Sequence, residues 1–199
     1  MKSNKTRERI IETSLKLFNE KKASNVSTVQ ISAEMQISPG NLYYYFANKE
    51  EIIRCIWKER MLDEIKSLAD NFECVKSPNE FCEHIKKCFE HYDRFVFFYC
   101  EASTLFLNDP VLKEYYDERL DMTLEQIKAF QDNWIRDGLM VEMTEAKKQA
   151  VAENVFLIMK SFLINPSVRK NRRYENVLVL IEPYLTEAAG NEMAEILDI

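Results

Sequence analysis

The stretch Ser38-Pro39-Gly40-Asn41-Leu42-Tyr43-Tyr44-Tyr45-Phe46-Ala47-Asn48-Lys49-Glu50 places two helix starts in close succession. Ser38 is a residue whose side-chain oxygen can take an orphan backbone N–H, and Pro39 suits the first helical position, where its missing N–H costs nothing. Asn48-x-x-Glu51 then opens another helix. The helix between them, Pro39 to about Phe46, is very short and carries three consecutive tyrosines. Leu42 and Phe46 are i, i+4 neighbours that can seal a core, whereas Tyr43, Tyr44 and Tyr45 spread over about 200° of arc. They cannot all be buried, so at least two phenols face outward.

The pattern extends in both directions. Upstream, Ser27-x-x-Gln30 forms a capping box that opens a short helix carrying Val29, Ile31 and Met35, and Gln36-Ile37 makes the turn into Ser38. Before it, a helix from about Thr6 to Lys21 sets Ile11, Ser14, Leu15 and Phe18 on one face, with Ile10 beside them. Downstream, a longer helix over 49–71 carries Ile52, Ile53, Ile56, Trp57, Met61, Ile65 and Leu68. Four helices with a short middle pair form a helix-turn-helix pattern. Outward tyrosines suit a DNA groove, because the hydroxyl donates to phosphate while the ring packs on sugar or a thymine methyl. Gly40 and Asn41 leave room for close approach and add an amide that can read a base edge. Backbone N–H groups at the helix starts near Ser27 and Asn48, with Lys49, suit phosphates. The alternative use of the tyrosines is an aromatic plug between two bundles.

These residues carry a family resemblance. From Thr6 to about Trp57 the chain resembles the DNA-binding domain of the TetR family of bacterial transcriptional regulators. The matching elements, in order and spacing, are Ser27-Thr28-Val29-Gln30-Ile31-Ser32, Ile37-Ser38, and Gly40-Asn41-Leu42-Tyr43-Tyr44-Tyr45-Phe46-x-Asn48-Lys49-Glu50. The resemblance covers about a quarter of the chain. It implies that Thr28, Tyr43 and Lys49 contact phosphates, with Tyr45, at a position often held by histidine, doing likewise. Ser38, Pro39, Gly40, Asn41 and Tyr44 then face the major groove. Two departures concern the turns: Lys22 and Gln36 stand where the family commonly has glycine, so either they take left-handed backbone at some strain or the turns are built differently. The short helix holds no Lys or Arg, so positive charge must come from Lys2, Lys5, Arg7, Lys49 and Arg54.

Composition supports an all-α chain. The 199 residues contain only three glycines, Gly40, Gly138 and Gly190, too scattered for a phosphate-cradling loop or a dinucleotide fingerprint. The net charge of -6 divides unevenly: residues 1–60 carry 11 Lys+Arg against 7 Asp+Glu, while the remainder is acidic. A basic end on an acidic body fits a polyanion partner for the first segment alone. The five cysteines form no C-x-x-C pair and read as free thiols in the cytoplasm, and no stretch is apolar enough to span a membrane. No triad, carboxylate pair or cofactor loop marks an enzyme, and no cofactor is expected.

The remainder reads as about five further helices, giving about nine in all. One long stripe holds Phe81, Ile85, Cys88, Tyr92, Phe95 and Tyr99, followed by a short piece from Ala102 to Leu107. A further helix carries Leu112, Tyr116, Leu120, Leu124, Ile127 and Trp134. The segment 146–164 is apolar almost all round, Leu163 included, and a final helix carries Tyr174 to Leu185. The expected division is a helix-turn-helix domain over 1–50, continuing into the connecting helix 49–71, and an effector-binding and dimerisation domain over 72–199. Two apolar faces on 146–164 leave one without a core of its own. The resemblance implies homodimerisation through the last two helices, here Val151, Val155, Ile158, Phe162, Val177, Leu178, Ile181 and Leu185, on a near-palindromic operator. It also implies an effector pocket, for which Tyr92, Phe95, Tyr99, Phe106 and Trp134 are the candidates. An apolar or aromatic small molecule fits these side chains, while Asp93, Glu101 and Asp109 either favour a cation or face solvent. His84, Cys88 and His91 share a helix face but suit a tetrahedral metal poorly, so no metal is expected. The rival to a ligand-released regulator is a helical DNA-binding or scaffold protein without an effector.

Overall fold

The computed structural model describes residues 2–72, 74–164 and 173–197; the side chains at 2–4, 163, 164 and 173, Lys2 and Leu163 among them, lie outside the described residues. The described elements are α1 (Lys2–Lys21), α2 (Thr28–Glu34), α3 (Pro39–Tyr43), α4 (Lys49–Ile56), α5 (Leu62–Phe72), α6 (Pro78–Arg94), α7 (Val96–Asn108), α8 (Pro110–Arg136), α9 (Glu145–Ile164), α10 (Arg173–Ile181) and α11 (Glu187–Leu197). Among the described residues there is no strand, only an isolated antiparallel bridge between Met140 and Leu185. None of the described helices is long and apolar enough to cross a membrane. All five cysteines are free thiols.

The chain packs as two units, Met1–Glu64 with Arg94–Tyr115, and Ile65–Asp93 with Tyr116–Ile199. In the first unit, Ile10, Ile11, Phe18, Ile31, Leu42, Phe46, Ile52 and Ile56 are buried together, at the positions the periodicities of α1 to α4 place inward. A π-turn over Trp57–Met61 joins α4 to α5 without interrupting the helical rod. Ile56 and Met61 are both fully buried although five residues apart, and the wider turn is what brings them to one side. Trp57 stacks on Phe98 of α7 with centroids 5.1 Å apart, and Phe18 meets Phe97 at 5.3 Å. Ion pairs fix α1 to the α4–α5 rod: Arg7 to Glu59, and Arg60 to both Glu8 and Glu12.

The second unit has its own apolar core, in which Phe72, Phe81, Phe130 and Trp134 stack. Phe72 and Phe130 lie 4.1 Å apart, and Phe130 and Trp134 4.7 Å. The Trp134 indole N–H donates to the Val75 carbonyl at 2.8 Å, so its polar atom is satisfied inside the core.

Three boundaries differ from the sequence expectation. The stripe from Phe81 to Tyr99 is not one helix: α6 ends at Arg94, Phe95 leaves helical geometry, and α7 takes in the whole piece ending near Leu107. Asn19 of α1 accounts for the break. Its amide donates to the Arg94 carbonyl at 2.7 Å and accepts from the Phe97 N–H at 3.2 Å, replacing backbone bonds lost at the bend. The expected final helix stops at Ile181, where Pro183 sits in a 3-10 turn over Glu182–Tyr184, and Leu185 is extended instead. A further helix, α11, follows, with Ala189, Met193 and Leu197 buried.

Candidate nucleic-acid interface

Three local caps build the site. Ser27 accepts the Gln30 N–H at 3.2 Å while the Gln30 side chain accepts the Ser27 N–H at 2.8 Å, a complete capping box. Ser38 accepts the Asn41 N–H at 3.2 Å, and Asn48 accepts the Glu51 N–H at 2.8 Å. Between α2 and α3, the Gln36 N–H bonds to the Ala33 carbonyl and the Ile37 N–H to the Ser32 carbonyl, both at 3.0 Å. That pairing is a Schellman stop with Gln36 at φ 57° where glycine is usual. Lys22 likewise holds φ 69°. Both positions where the family commonly has glycine therefore carry side chains on positive-φ backbone, at some strain.

These caps turn α3 so that Leu42 and Phe46 are buried while Tyr43 is 49% and Tyr44 78% exposed. Tyr45 is half-buried, meeting Tyr44 edge-on at 5.0 Å. Two of the three phenols thus face outward. Ser38, Pro39, Gly40 and Asn41 are all exposed, as is Val29 on α2, which sequence reasoning did not single out. Its apolar side chain at 56% exposure is the signal that marks it. A Cβ built on Gly40 would meet only the Ser38 hydroxyl, at 4.0 Å, so nothing inside the protein requires glycine there.

Beside this face, the Thr28 and Tyr43 hydroxyls lie 2.9 Å apart, joining the start of α2 to the end of α3. They line an open hollow with Ser27, Asn48 and Lys49. The Lys49 ammonium donates to the Ala23 carbonyl at 2.6 Å. The hollow thus gathers two hydroxyls and a cation, the donors that phosphate oxygens accept.

The expected charge supply is smaller than the sequence suggested. Arg7 is held by Glu59, with its guanidinium 5.4 Å over the Phe46 ring, and this pairing keeps the Glu59 carboxyl below its ordinary pKa. Arg54 pairs with the buried Asp109 at 2.5 Å. Both arginines are engaged with carboxylates of the first unit, which leaves Lys5 and Lys49 of the expected cations within the described side chains.

The effector candidates fall in both units. In the first, Phe95 and Tyr99 are buried and Phe106 meets Phe98 edge-on at 6.0 Å. In the second, Trp134 belongs to the packed core, and burial pushes the Tyr92 phenol pKa well up beside Cys88 and Tyr116. Glu101 accepts from the Ala23 and Ser24 N–H groups, and Asp109 holds Arg54 and accepts the Leu112 N–H; both acids therefore serve the first unit. His84 stacks on Phe72 at 4.5 Å, and no three His, Cys, Asp or Glu side chains gather as a metal site among the described residues. Of the expected dimer residues, Val151, Val155, Phe162, Val177, Leu178, Ile181 and Leu185 are buried in the second unit's own core, and Ile158 is half-buried. Among the described side chains of α9 and α10, the exposed large apolar ones are Leu157, 61% exposed, and Val179.

The sequence profile of bacterial regulatory proteins of the tetR family matches residues 10–56, and that of the TetR bacterial transcriptional repressors matches 59–193. The chain belongs to the TetR family. A TetR-family regulator from Marinobacter aquaeolei VT8 is similar in structure, with a TM-score of 0.85, 26% identity and 97% of each chain covered. Two more distant TetR-like folds are a gamma-butyrolactone receptor (ArpA-like protein) and SmeT in complex with triclosan. The receptor has a TM-score of 0.70 at 15% identity, over 100% of this chain and 97% of its own. SmeT has a TM-score of 0.67 at 17% identity, over 92% and 93%. Comparison with curated proteins gave no match. This TetR-family chain is thus a transcriptional regulator with an N-terminal helix-turn-helix domain and a helical C-terminal domain.

Proposed function

We propose that the chain is a repressor that binds a near-palindromic operator as a homodimer and is released by a small apolar or aromatic ligand. Residues 1–50, continuing into the helix over 49–71, read the DNA, and residues 72–199 bind the effector and pair the subunits. The observation that carries the reading is the outward face of α3: exposed Tyr43 and Tyr44 beside Gly40, whose Cα is open to close approach. Ser38, Pro39, Gly40, Asn41 and Tyr44 enter the major groove, while Thr28, Tyr43, Tyr45 and Lys49 hold phosphates. The second copy packs against the Leu157 and Val179 side of α9 and α10, and two-fold symmetry sets the recognition helices roughly 34–36 Å apart. Binding DNA places the protein in the cytoplasm. A mobility shift on the DNA upstream of its own gene, with excess unrelated competitor, tests this: a retained shifted band supports the reading, and equal competition by unrelated DNA refutes it.

A further inference from the structure

Among the described residues, two cations of the second unit, the buried Arg119 and the half-buried Lys160, have no carboxylate in contact. Arg119 of α8 is only 6% exposed, yet among the described residues its guanidinium makes a single hydrogen bond, to the neutral side-chain carbonyl of Gln126 at 2.7 Å. Its Nε is buried without a partner. Lys160 of α9 donates to the Tyr116 hydroxyl and lies 4.8 Å from the Tyr116 and Phe156 ring centroids. Neither cation is in an ion pair among the described residues; Asp70 acts on Arg119 only through space. Burial lowers the pKa of both groups, as it does for any cation moved from water without compensation.

Tyr116 and Arg119 stand three residues apart on one face of α8, and Lys160 is bonded to that tyrosine. The half-buried Tyr92 phenol on α6 is electrostatically coupled to Tyr116, so α6, α8 and α9 bring polar atoms to one region of the second unit. An interior cation without a counter-ion is costly, and a chain that only needed core packing would place an apolar side chain there. Other cations in this unit do have partners: Lys148 holds both Asp132 and Glu145. Asp70 acts on Arg119 and Asp117 on the Tyr116 phenol, but neither carboxylate is in contact with either cation, and the neighbouring Phe156, Tyr92 and Cys88 are apolar or neutral.

We propose that Arg119, Lys160 and Tyr116 form the polar end of the effector site and take an organic monocarboxylate with an apolar body. This rests on the reading of the chain as ligand-responsive and narrows the ligand's chemistry. The carboxylate accepts from the unused guanidinium donors and the ammonium, and its body lies against the aromatic rings.

The test uses the full chain and two matched probe pairs, decanoate with decanamide and 1-naphthoate with 1-naphthamide, read by the shift in melting temperature. At least one carboxylate raises it while its amide does not. Arg119→Met and Lys160→Met each weaken that carboxylate about tenfold or more, the loss expected for a charge-assisted bond. Without probe, the melting temperature of each variant is unchanged or raised, which a purely structural role for the cations would not allow. Tyr116→Phe, which keeps the ring, weakens the carboxylate severalfold and serves if a Met variant does not fold. Equal shifts by acid and amide, no shift by either acid, or variants that bind the acid as the parent does overturn the inference. Amides that bind and release operator while the acids do not leave ligand response standing and remove only the anion site.

Discussion

The Glu101 carboxylate accepts the Ser24 N–H at 3.1 Å and the Ala23 N–H with its other oxygen, so a side chain on α7 holds the turn between α1 and α2. The same Ala23 presents its carbonyl to Lys49. One peptide unit therefore ties α7, the turn at the head of the helix-turn-helix, and the cation expected on phosphate. Glu101→Ala strands two N–H groups, one of them on a buried residue, and lowers unfolding free energy by about 2–4 kcal/mol; Glu101→Gln, which retains an acceptor, loses about half as much. Urea denaturation followed by circular dichroism checks the order, and an alanine variant as stable as the parent contradicts it.

Gly40 separates folding from recognition. Since a Cβ there has open space, Gly40→Ala leaves stability unchanged or raises it by about 0.5 kcal/mol, helix propensity being the only internal effect. On DNA the methyl group stands between the backbone and the base edges, and operator affinity falls about tenfold or more. Fluorescence anisotropy with labelled operator reads both binding curves, and matching affinities would remove Gly40 from the groove.

Gln36 makes the converse case. Its left-handed backbone in the Schellman stop costs about 1 kcal/mol relative to glycine, so Gln36→Gly should raise unfolding free energy by about that amount. Loss of stability would mean that the Gln36 side chain contributes more than its backbone costs.

Much of the head was legible in sequence because its signals are local. Ser27, Ser38 and Asn48 each cap a helix within three residues of themselves, and helical arc alone requires two of the three tyrosines to face outward, although it does not choose Tyr43 over Tyr45 as the partner of Tyr44. What was not legible depends on distant partners. The bend at Phe95 has no local breaker and is satisfied by Asn19, far away in the chain. Arg7 and Arg54 look like free cations until Glu59 and Asp109 are folded against them. The apolar positions of α9 and α10 show that both helices are buried but not which side faces their own core; Val155 is buried in it and Leu157 is exposed. Lys160, followed by Ser161, interrupts the apolar run of α9, a local signal that the sequence does carry.

His84 sets a pH dependence. Burial against Phe72, with Lys87 nearby, lowers its pKa from 6.5 to about 4. The folded state therefore keeps it neutral where the unfolded chain is protonated, so its stability contribution is complete above pH 6.5 and is lost as pH falls toward 4. The full loss is at most about 3 kcal/mol. His84→Phe, which preserves the stack, should flatten the unfolding free energy over that window, and an unchanged slope would assign the dependence to other groups.

The central claim, that α3 and the hollow beside it bind operator phosphates and bases, is tested most directly by a salt titration of operator affinity for the parent, Tyr43→Ala and Lys49→Ala. Tyr43→Ala is predicted to weaken binding about tenfold or more with the slope of log affinity on log salt unchanged, because a neutral donor releases no counterion. Lys49→Ala is predicted to weaken binding and reduce that slope by about 1 per subunit. Parent affinity and parent slope in both variants would contradict the account.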